Sequence, residues 1–273
     1  MTAAPLNVAP LNVASLDAAT LKQRRGDVVP PQIIDVRRTV SFDADPRVIA
    51  GAIRRQPEAI ANWAPVLEPW RPVVVYCVHG EEVSQTVATD LAARGFEARY
   101  LDHGLAGWLA AGGAIAPWQQ PTRWVTRERP KIDRIACPWL IRRFVDADAQ
   151  VFFVPNAEVS AFAAANAAEP FDIPDVRLTH VGERCSFDAF VDAYGLDHPA
   201  LAEVATIVRG ADTGALTLAP EAAGLLGVSL GLSAMIGDDH ALLRWGLMIY
   251  DALYARARAA AGETHSWRPE SLR

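Results

Sequence analysis

The stretch Val73-Val74-Val75-Tyr76-Cys77-Val78-His79-Gly80 decides the architecture of the N-terminal half of the chain. Its apolar start predicts a short buried strand, and the glycine after the cysteine marks a loop. Downstream, apolar residues recur at helical spacing and Gly95 follows as a helix stop, so Cys77 lies between a strand and the start of a helix. Backbone N–H groups at a helix start favour a thiolate and any anion that approaches it. We therefore expect Cys77 to be a reactive thiol.

Three further motifs surround this stretch in a fixed order. They are Ile33-Ile34-Asp35-Val36-Arg37, Gly51-Ala52-Ile53 and Tyr100-Leu101-Asp102-His103-Gly104-Leu105-Ala106-Gly107-Trp108. Together with the Cys77 motif, they resemble the rhodanese (sulfurtransferase) domain over residues 15–116. The resemblance implies an α/β fold in which helices flank a parallel sheet. One departure is His103, which stands where the rhodanese pattern usually has glycine and leaves the form of that turn open.

The same resemblance implies that Cys77 is the catalytic nucleophile, which takes sulfane sulfur as a persulfide and passes it to an acceptor. The donor would be a small anion such as thiosulfate or a persulfide carrier, and the transfer would need no cofactor. Asp35 and Arg37 are expected to support the loop rather than to react. The loop that would wrap the transferred group consists of Val78, His79, Gly80, Glu81, Glu82 and Val83.

Glu81 and Glu82 depart from the usual rhodanese loop, which has basic or hydroxyl residues there. Carboxylates beside a thiolate disfavour its ionisation and repel an anionic donor. Turnover of thiosulfate is then slow, or the donor is another persulfide or a bound partner. His79 either offsets the negative charge or satisfies backbone groups of the loop.

Composition limits the remaining possibilities. A length of 273 residues with 51% hydrophobic residues suits about two domains. A net charge of −6 argues against a nucleic-acid partner, and three scattered cysteines fit a reducing compartment. The longest apolar stretch, residues 225–236, contains glycines and is too short to span a bilayer. We expect a cytoplasmic protein with a disordered lead-in over residues 1–14 and a polar tail over 262–273.

Residues 117–130 contain three prolines and are predicted to be a linker. A basic region begins there in an otherwise acidic chain. It either docks an oxyanion, an acidic partner or chromate, which is a tetrahedral dianion as sulfate is, or it forms a solvated or salt-bridged face. The residues of this candidate oxyanion patch are Arg123, Arg127, Arg129, Lys131 and Arg134.

The C-terminal half carries a second resemblance. Lys131-Ile132-Asp133-Arg134-Ile135-Ala136-Cys137-Pro138-Trp139-Leu140 and Thr179-His180-Val181-Gly182-Glu183-Arg184-Cys185-Ser186-Phe187 are similar to the C-terminal domain of chromate-resistance proteins of the ChrB type. Helical periodicity predicts a mostly α-helical domain over residues 131–261, with a short strand near residues 151–154.

His180, Glu183 and Cys185 place three metal-ligand types within six positions. Imidazole, carboxylate and thiolate together suit a divalent ion such as zinc, although the spacing fits no standard zinc motif. The alternative is structural: the cysteine packs, the glutamate caps and the histidine finds a backbone partner. Three further residues could complete a metal shell or a polar network: Asp133, Asp212 and His240.

Three functions follow from these observations. The leading one is sulfur transfer through a Cys77 persulfide in oxyanion or thiol stress. The first alternative is a non-catalytic protein that senses chromate or binds a partner, and the second is a C-terminal metalloenzyme with an accessory rhodanese domain. A sulfurtransferase assay separates the first two, and metal analysis addresses the third. The sequence leaves the oligomeric state open.

Overall fold

The computed structural model describes residues 13–260 and 262–263. They form two compact units, of which the first contains the residues up to Thr122 together with Asp146–Asp148. The second contains Arg123–Val145 and the residues from Ala149 onwards. The expected lead-in over 1–14 and the expected tail over 262–273 fall almost entirely outside the described residues.

The first unit contains seven strands among its described residues. They are β1 (Ser15–Leu16), β2 (Gln32–Asp35), β3 (Arg47–Ile49), β4 (Ile53–Arg54), β5 (Val73–Tyr76), β6 (Ala98–Leu101) and β7 (Ile115–Pro117). Five of them form a parallel sheet in the order β1-β6-β5-β2-β4, and a separate antiparallel pair joins β3 and β7. This arrangement confirms the α/β fold expected from the sequence. The helices are α1 (Ala18–Arg24), α2 (Thr39–Ala44), α3 (Ile60–Trp63), α4 (Glu82–Ala93) and α5 (Gly104–Ala110).

Strand β5 is the central strand of this sheet and is buried along its whole length. Its side chains alternate between two cores, so Val73 and Val75 pack with residues of α3 and α4, whereas Val74 and Tyr76 pack with residues of α1 and α5. A strand covered by helices on both faces must be apolar throughout, which explains the unbroken apolar run. Cys77 follows β5 directly, at the C-terminal ends of the parallel strands.

The second unit is mostly α-helical, as expected, and also contains a small parallel sheet in the order β10-β8-β9. Its strands are β8 (Arg123–Arg127), β9 (Gln150–Val154) and β10 (Glu169–Pro170). Its helices are α6 (Asp133–Leu140), α7 (Val159–Asn166), α8 (Ser186–Ala193), α9 (Pro199–Asp212), α10 (Ala222–Met235) and α11 (Asp239–Ala259). Helix α6 continues into a π-helical segment at Ile141–Val145.

The segment predicted to be a linker is shorter in the structure than residues 117–130. Its second half contains β8, the middle strand of the small sheet, in which Trp124, Val125 and Thr126 are buried. The flanking arginines and the nearby prolines give this segment the composition of a linker, so the three-residue core of the strand is not recognised from composition. No helix within the described residues has both the length and the apolar character that a membrane span requires.

Candidate functional site

The backbone around Cys77 is fixed by the start of helix α5. The N–H group of Leu105 donates to the carbonyl of Cys77 at 2.9 Å, and that of Ala106 donates to the carbonyl of Val78 at 3.0 Å. The orphan N–H groups of a helix start are thus used to hold the cysteine loop. Cys77 itself is 7% exposed, which keeps its thiol largely away from bulk water.

Gly80 is required by the close approach of this loop to the turn before α5. Its φ of +74° lies in the left-handed region, and a Cβ atom there would stand 2.5 Å from the carbonyl oxygen of Leu101 and 2.7 Å from the nitrogen of His103. His103 adopts a left-handed φ of 55°, the conformation that glycine favours. Histidine is among the non-glycine residues that tolerate this region, so the turn keeps its form despite the departure at this position.

The Cys77 thiol is surrounded by hydrogen-bond donors. Its Sγ atom lies 3.2 Å from the hydroxyl Oγ of Ser84. Burial raises the pKa of Cys77, but hydrogen bonds from the Ser84 hydroxyl and from the backbone N–H groups of Ser84, His79 and Glu81 outweigh it and lower the pKa below its ordinary value. Donors aimed at sulfur stabilise the thiolate, which is the nucleophilic form.

The acidic residues of the loop face solvent. Glu81 and Glu82 are both exposed, and so is His79. Glu82 is in the first turn of α4, where a carboxylate interacts favourably with the helix dipole. Solvent screens charges of this kind, so the electrostatic penalty that the sequence predicts for the thiolate is reduced. The other loop residues are Val78 and Val83, which are partly buried, and Gly80, which is buried.

Asp35 and Arg37 form a buried ion pair with an N–O distance of 2.5 Å. Arg37 also donates to the carbonyls of Asp45 and Arg47, each at 2.8 Å, so it holds the segment between α2 and β3. The hydroxyl of Tyr76, the residue before Cys77, donates to Asp35 at 3.0 Å. The pair therefore reaches the cysteine loop through Tyr76 rather than by direct contact.

Ser84 lies beside the Cys77 thiol, although the sequence analysis does not single it out. It is separated from Cys77 by the whole loop, and it is buried in the first turn of α4. Its hydroxyl donates to the carbonyl of Glu81 at 3.1 Å, which fixes the oxygen beside the thiol. A hydroxyl residue in the first turn after a Cys-x-x-Gly loop is the signal that could have identified it.

In the second unit, the structure does not bring Glu183 to His180. Glu183 is exposed in a turn in which Val181 and Arg184 exchange two backbone hydrogen bonds of 3.1 Å. His180 instead faces three aspartates from other segments, one of which is Asp172, whose Oδ1 atom lies 3.4 Å from Nε2 of His180. Its Nε2 atom lies 3.1 Å from Oδ2 of Asp212 and 3.5 Å from Oδ2 of Asp133.

The two cysteines of this unit and His240 are placed differently. Cys185 and Cys137 are fully buried, and burial followed by the nearby charge of Asp133 raises the pKa of each thiol. Thiols of this kind are poor ligands and poor nucleophiles. His240 is exposed, and its ring packs 5.5 Å from that of Phe153, outside the group around His180.

Most of the basic residues expected to form an oxyanion patch contact carboxylates of their own domain. Arg127 and Arg134 both contact Asp172, at N–O distances of 2.8 and 3.3 Å. The backbone N–H of Arg129 donates to Asp239 at 3.0 Å. The two others in the set are Arg123, which is partly buried, and Lys131, which is exposed. The charges match the salt-bridge alternative more closely than an open oxyanion patch.

Comparisons with known families agree with both units. Residues 17–111 match the rhodanese-like domain family, and residues 124–257 match the family described as ChrB, C-terminal domain. The chain therefore joins a rhodanese-like domain to a ChrB C-terminal domain, which confirms the two resemblances.

One relative shares part of its length with this chain. Protein ChrB of Cupriavidus metallidurans is 32% identical over 158 residues, which are 56% of this chain and 45% of that protein. This chain thus spans about half the length of that relative.

Three solved structures resemble the first unit. A rhodanese-related protein of Thermoplasma volcanium shows 21% identity and a TM-score of 0.34, with coverage of 38% of this chain and 99% of its own. The Alr3790 protein of Anabaena shows 32% identity and a TM-score of 0.34, with coverage of 38% and 82%. A rhodanese-like domain protein from Staphylococcus aureus shows 23% identity and a TM-score of 0.32, with coverage of 35% and 91%.

Proposed function

We propose that this protein is a sulfurtransferase in which Cys77 carries sulfane sulfur as a persulfide, and that it acts in the context of chromate resistance. The observation that carries the proposal is the set of donors around the thiol. The Ser84 hydroxyl oxygen lies 3.2 Å from the Cys77 sulfur, and hydrogen bonding from this hydroxyl and from the loop backbone outweighs burial and lowers the pKa of Cys77. A cysteine that only packed in the core would have a raised pKa, as Cys137 and Cys185 have.

The reaction has two steps. The Cys77 thiolate attacks the outer sulfur of a donor such as thiosulfate, the sulfur–sulfur bond of the donor breaks, and sulfite leaves with the electron pair. The terminal sulfur of the resulting persulfide is then attacked by an acceptor nucleophile, and Cys77 leaves as a thiolate. No net oxidation occurs and no cofactor is needed.

The hydrogen-bond donors around Cys77 suit the negative charge of both the thiolate and the persulfide. A persulfide is anionic at neutral pH and places its charge on the outer sulfur, one bond beyond Sγ. The N–H groups of a loop that precedes a helix are a general means of binding such an anion. Because the Glu81 and Glu82 side chains are exposed, an anionic donor can approach the thiol without contacting a buried carboxylate.

The ChrB C-terminal domain supports a place for this chemistry in resistance to chromate or in thiol stress. The proposal places the protein in the cytoplasm, because a persulfide carrier requires a compartment in which thiols stay reduced. All three cysteines are free, which is compatible with such a compartment.

The test is an intact mass spectrum after exposure to thiosulfate, together with sulfur transfer to cyanide. Wild-type protein should gain the mass of one sulfur atom, and peptide mapping should place it on Cys77. Cys77→Ser should lose both the added mass and the transfer. The matched control is Cys185→Ser, the same change at the start of α8, where serine is a favourable N-cap. Transfer at the wild-type rate by Cys77→Ser would refute the assignment.

A further inference from the structure

A group of acidic side chains in the ChrB C-terminal domain converges on one histidine. The Nε2 atom of His180 lies 3.1 Å from Asp212, 3.4 Å from Asp172 and 3.5 Å from Asp133. A single N–H group can point at only one of these three oxygens. The residues come from the first turn of α6, the last turn of α9 and two loops, so tertiary packing rather than local sequence assembles them.

Asp172 is already neutralised and acts as a support. One of its oxygens contacts both Arg127 and Arg134, at 2.8 and 3.3 Å. Its other oxygen accepts a hydrogen bond of 2.8 Å from the hydroxyl of Ser186. These contacts hold the carboxylate in place, and the two arginines neutralise its charge.

Asp133 is not satisfied in the same way. It is 1% exposed, and its Oδ2 atom accepts from the backbone N–H groups of Ser186 and Phe187 at 2.5 and 3.3 Å. Its Oδ1 atom is buried and has no hydrogen-bond donor among the described residues. A buried carboxylate oxygen without a partner is rare in folded proteins, and this one is free to coordinate an ion.

The charge balance at Asp133 and Asp212 favours a cation. Both carboxylates lie within 3.5 Å of the same imidazole nitrogen of His180, while Arg127 and Arg134 contact Asp172. When ionised, the two carboxylates carry more negative charge than one imidazolium balances, and a bound cation would relieve the repulsion.

We infer that Asp133, His180 and Asp212 bind a divalent first-row transition-metal ion, with Asp172 as a positioning residue. Their ligand atoms lie within 4.8 Å of one another. For metal–ligand distances of about 2.1 Å, neighbouring ligand atoms are about 3.0 Å apart in an octahedral shell and about 3.4 Å apart in a tetrahedral shell. The measured separations of 3.1 and 3.5 Å between Nε2 and the two aspartate oxygens match these values.

The donor set defines the kind of ion. One imidazole and two carboxylates suit Mn²⁺, Fe²⁺ or Zn²⁺, whereas a soft ion such as Cu⁺ would require thiolates. The neighbouring Cys185 is fully buried at the start of α8, where its side chain is used as a helix cap. The side chain of His180 is 41% exposed, so the remaining coordination positions of the ion face solvent. A metal held in this way is able to exchange and to bind a further small ligand.

The experiment is calorimetric titration of the chelator-treated full-length protein with Mn²⁺, accompanied by thermal unfolding. Mn²⁺ is the probe because thiolates such as Cys77 compete for it poorly. Wild-type protein should bind one equivalent and unfold at a higher temperature with the ion. Asp212→Asn and His180→Gln should each weaken binding at least about tenfold. Asp133→Asn should do the same, but Asp133 also supports the start of α8, so the other two variants carry the test.

The matched control is Glu183→Gln, the same carboxylate-to-amide change in the exposed turn next to His180. It should bind Mn²⁺ with the wild-type affinity. Absence of a one-to-one site in wild-type protein, or unchanged affinity in both Asp212→Asn and His180→Gln, would overturn the inference. Loss of binding in Glu183→Gln would overturn it as well, because the ligands would then be those of the exposed turn.

Discussion

Removal of the Ser84 hydroxyl should raise the pKa of Cys77, and the structure sets the size of the effect. The Ser84 Oγ lies 3.2 Å from the Cys77 Sγ and 3.1 Å from the carbonyl of Glu81. A hydroxyl has one proton, so it leaves the carbonyl when it donates to the thiolate. A hydrogen bond to a charged group contributes about 1.5–3 kcal/mol and a neutral one about 0.5–1.5 kcal/mol. The difference of about 1–2 kcal/mol corresponds to a roughly fivefold to thirtyfold lower thiolate-to-thiol ratio in Ser84→Ala than in the wild type at the same pH.

The assay is the rate of alkylation by iodoacetamide as a function of pH. Cys137 and Cys185 should not react with iodoacetamide, because both are buried with raised pKa values. The wild-type rate should rise through a midpoint below that of an ordinary cysteine, and Ser84→Ala should move the midpoint upward. Thr89→Ala is the matched control, because the Thr89 hydroxyl donates to the carbonyl of Gln85 on the same helix.

The sign of the pH dependence follows from the thiolate fraction. Below the wild-type midpoint, Ser84→Ala should react and transfer sulfur more slowly than wild type, because less of Cys77 is ionised. Above both midpoints, the two proteins should have similar thiolate fractions. An unchanged midpoint in Ser84→Ala would refute the reasoning, since the backbone N–H groups alone would then set the pKa.

Three further predictions concern the first unit. Gly80→Ala should lower the free energy of unfolding in urea by about 1–3 kcal/mol from backbone strain alone, and unchanged stability would show that the loop can move away from α5. Glu82→Arg should lower the KM for thiosulfate by about twofold to fivefold, the range expected for an exposed charge, whereas a higher KM would contradict the screened repulsion argued here. Arg37→Met should destabilise the protein by about 3–5 kcal/mol because it leaves Asp35 buried and unpaired. Denaturant midpoints that match the wild type would show that Asp35 becomes protonated at little cost.

Local signals explain why the first unit could be predicted from the sequence. Strand β5, the cysteine and helix α4 follow each other within 21 residues, and each is marked by its own periodicity or by glycine. Ser84 was missed because its role depends on where the helix begins relative to the thiol. That relation is a distance in the folded protein, whereas the sequence contains only the order of the residues.

The second unit shows the limit of local reasoning. The sequence singles out His180, but the two aspartates proposed as its fellow ligands, Asp133 and Asp212, are 47 positions before it and 32 positions after it in the chain. Glu183 is nearer in sequence, yet the turn at Val181 and Arg184 leaves it exposed. Spacing motifs find ligands that share one helix or one loop, and they miss ligands that converge from separate elements.

The two domains have opposite electrostatic preferences, and this difference restricts what each can bind. The loop at Cys77 offers N–H donors to an anion, and its carboxylates lie in solvent. The group around His180 contains three carboxylates, and the arginines nearest to it contact Asp172. Chromate is a tetrahedral dianion with the charge of thiosulfate. The three carboxylates around His180 would therefore repel it unless a metal were bound first. Without such a metal, an oxyanion is better accommodated by the cysteine loop, where it would compete with the sulfur donor. The three carboxylates around His180 favour a cation instead.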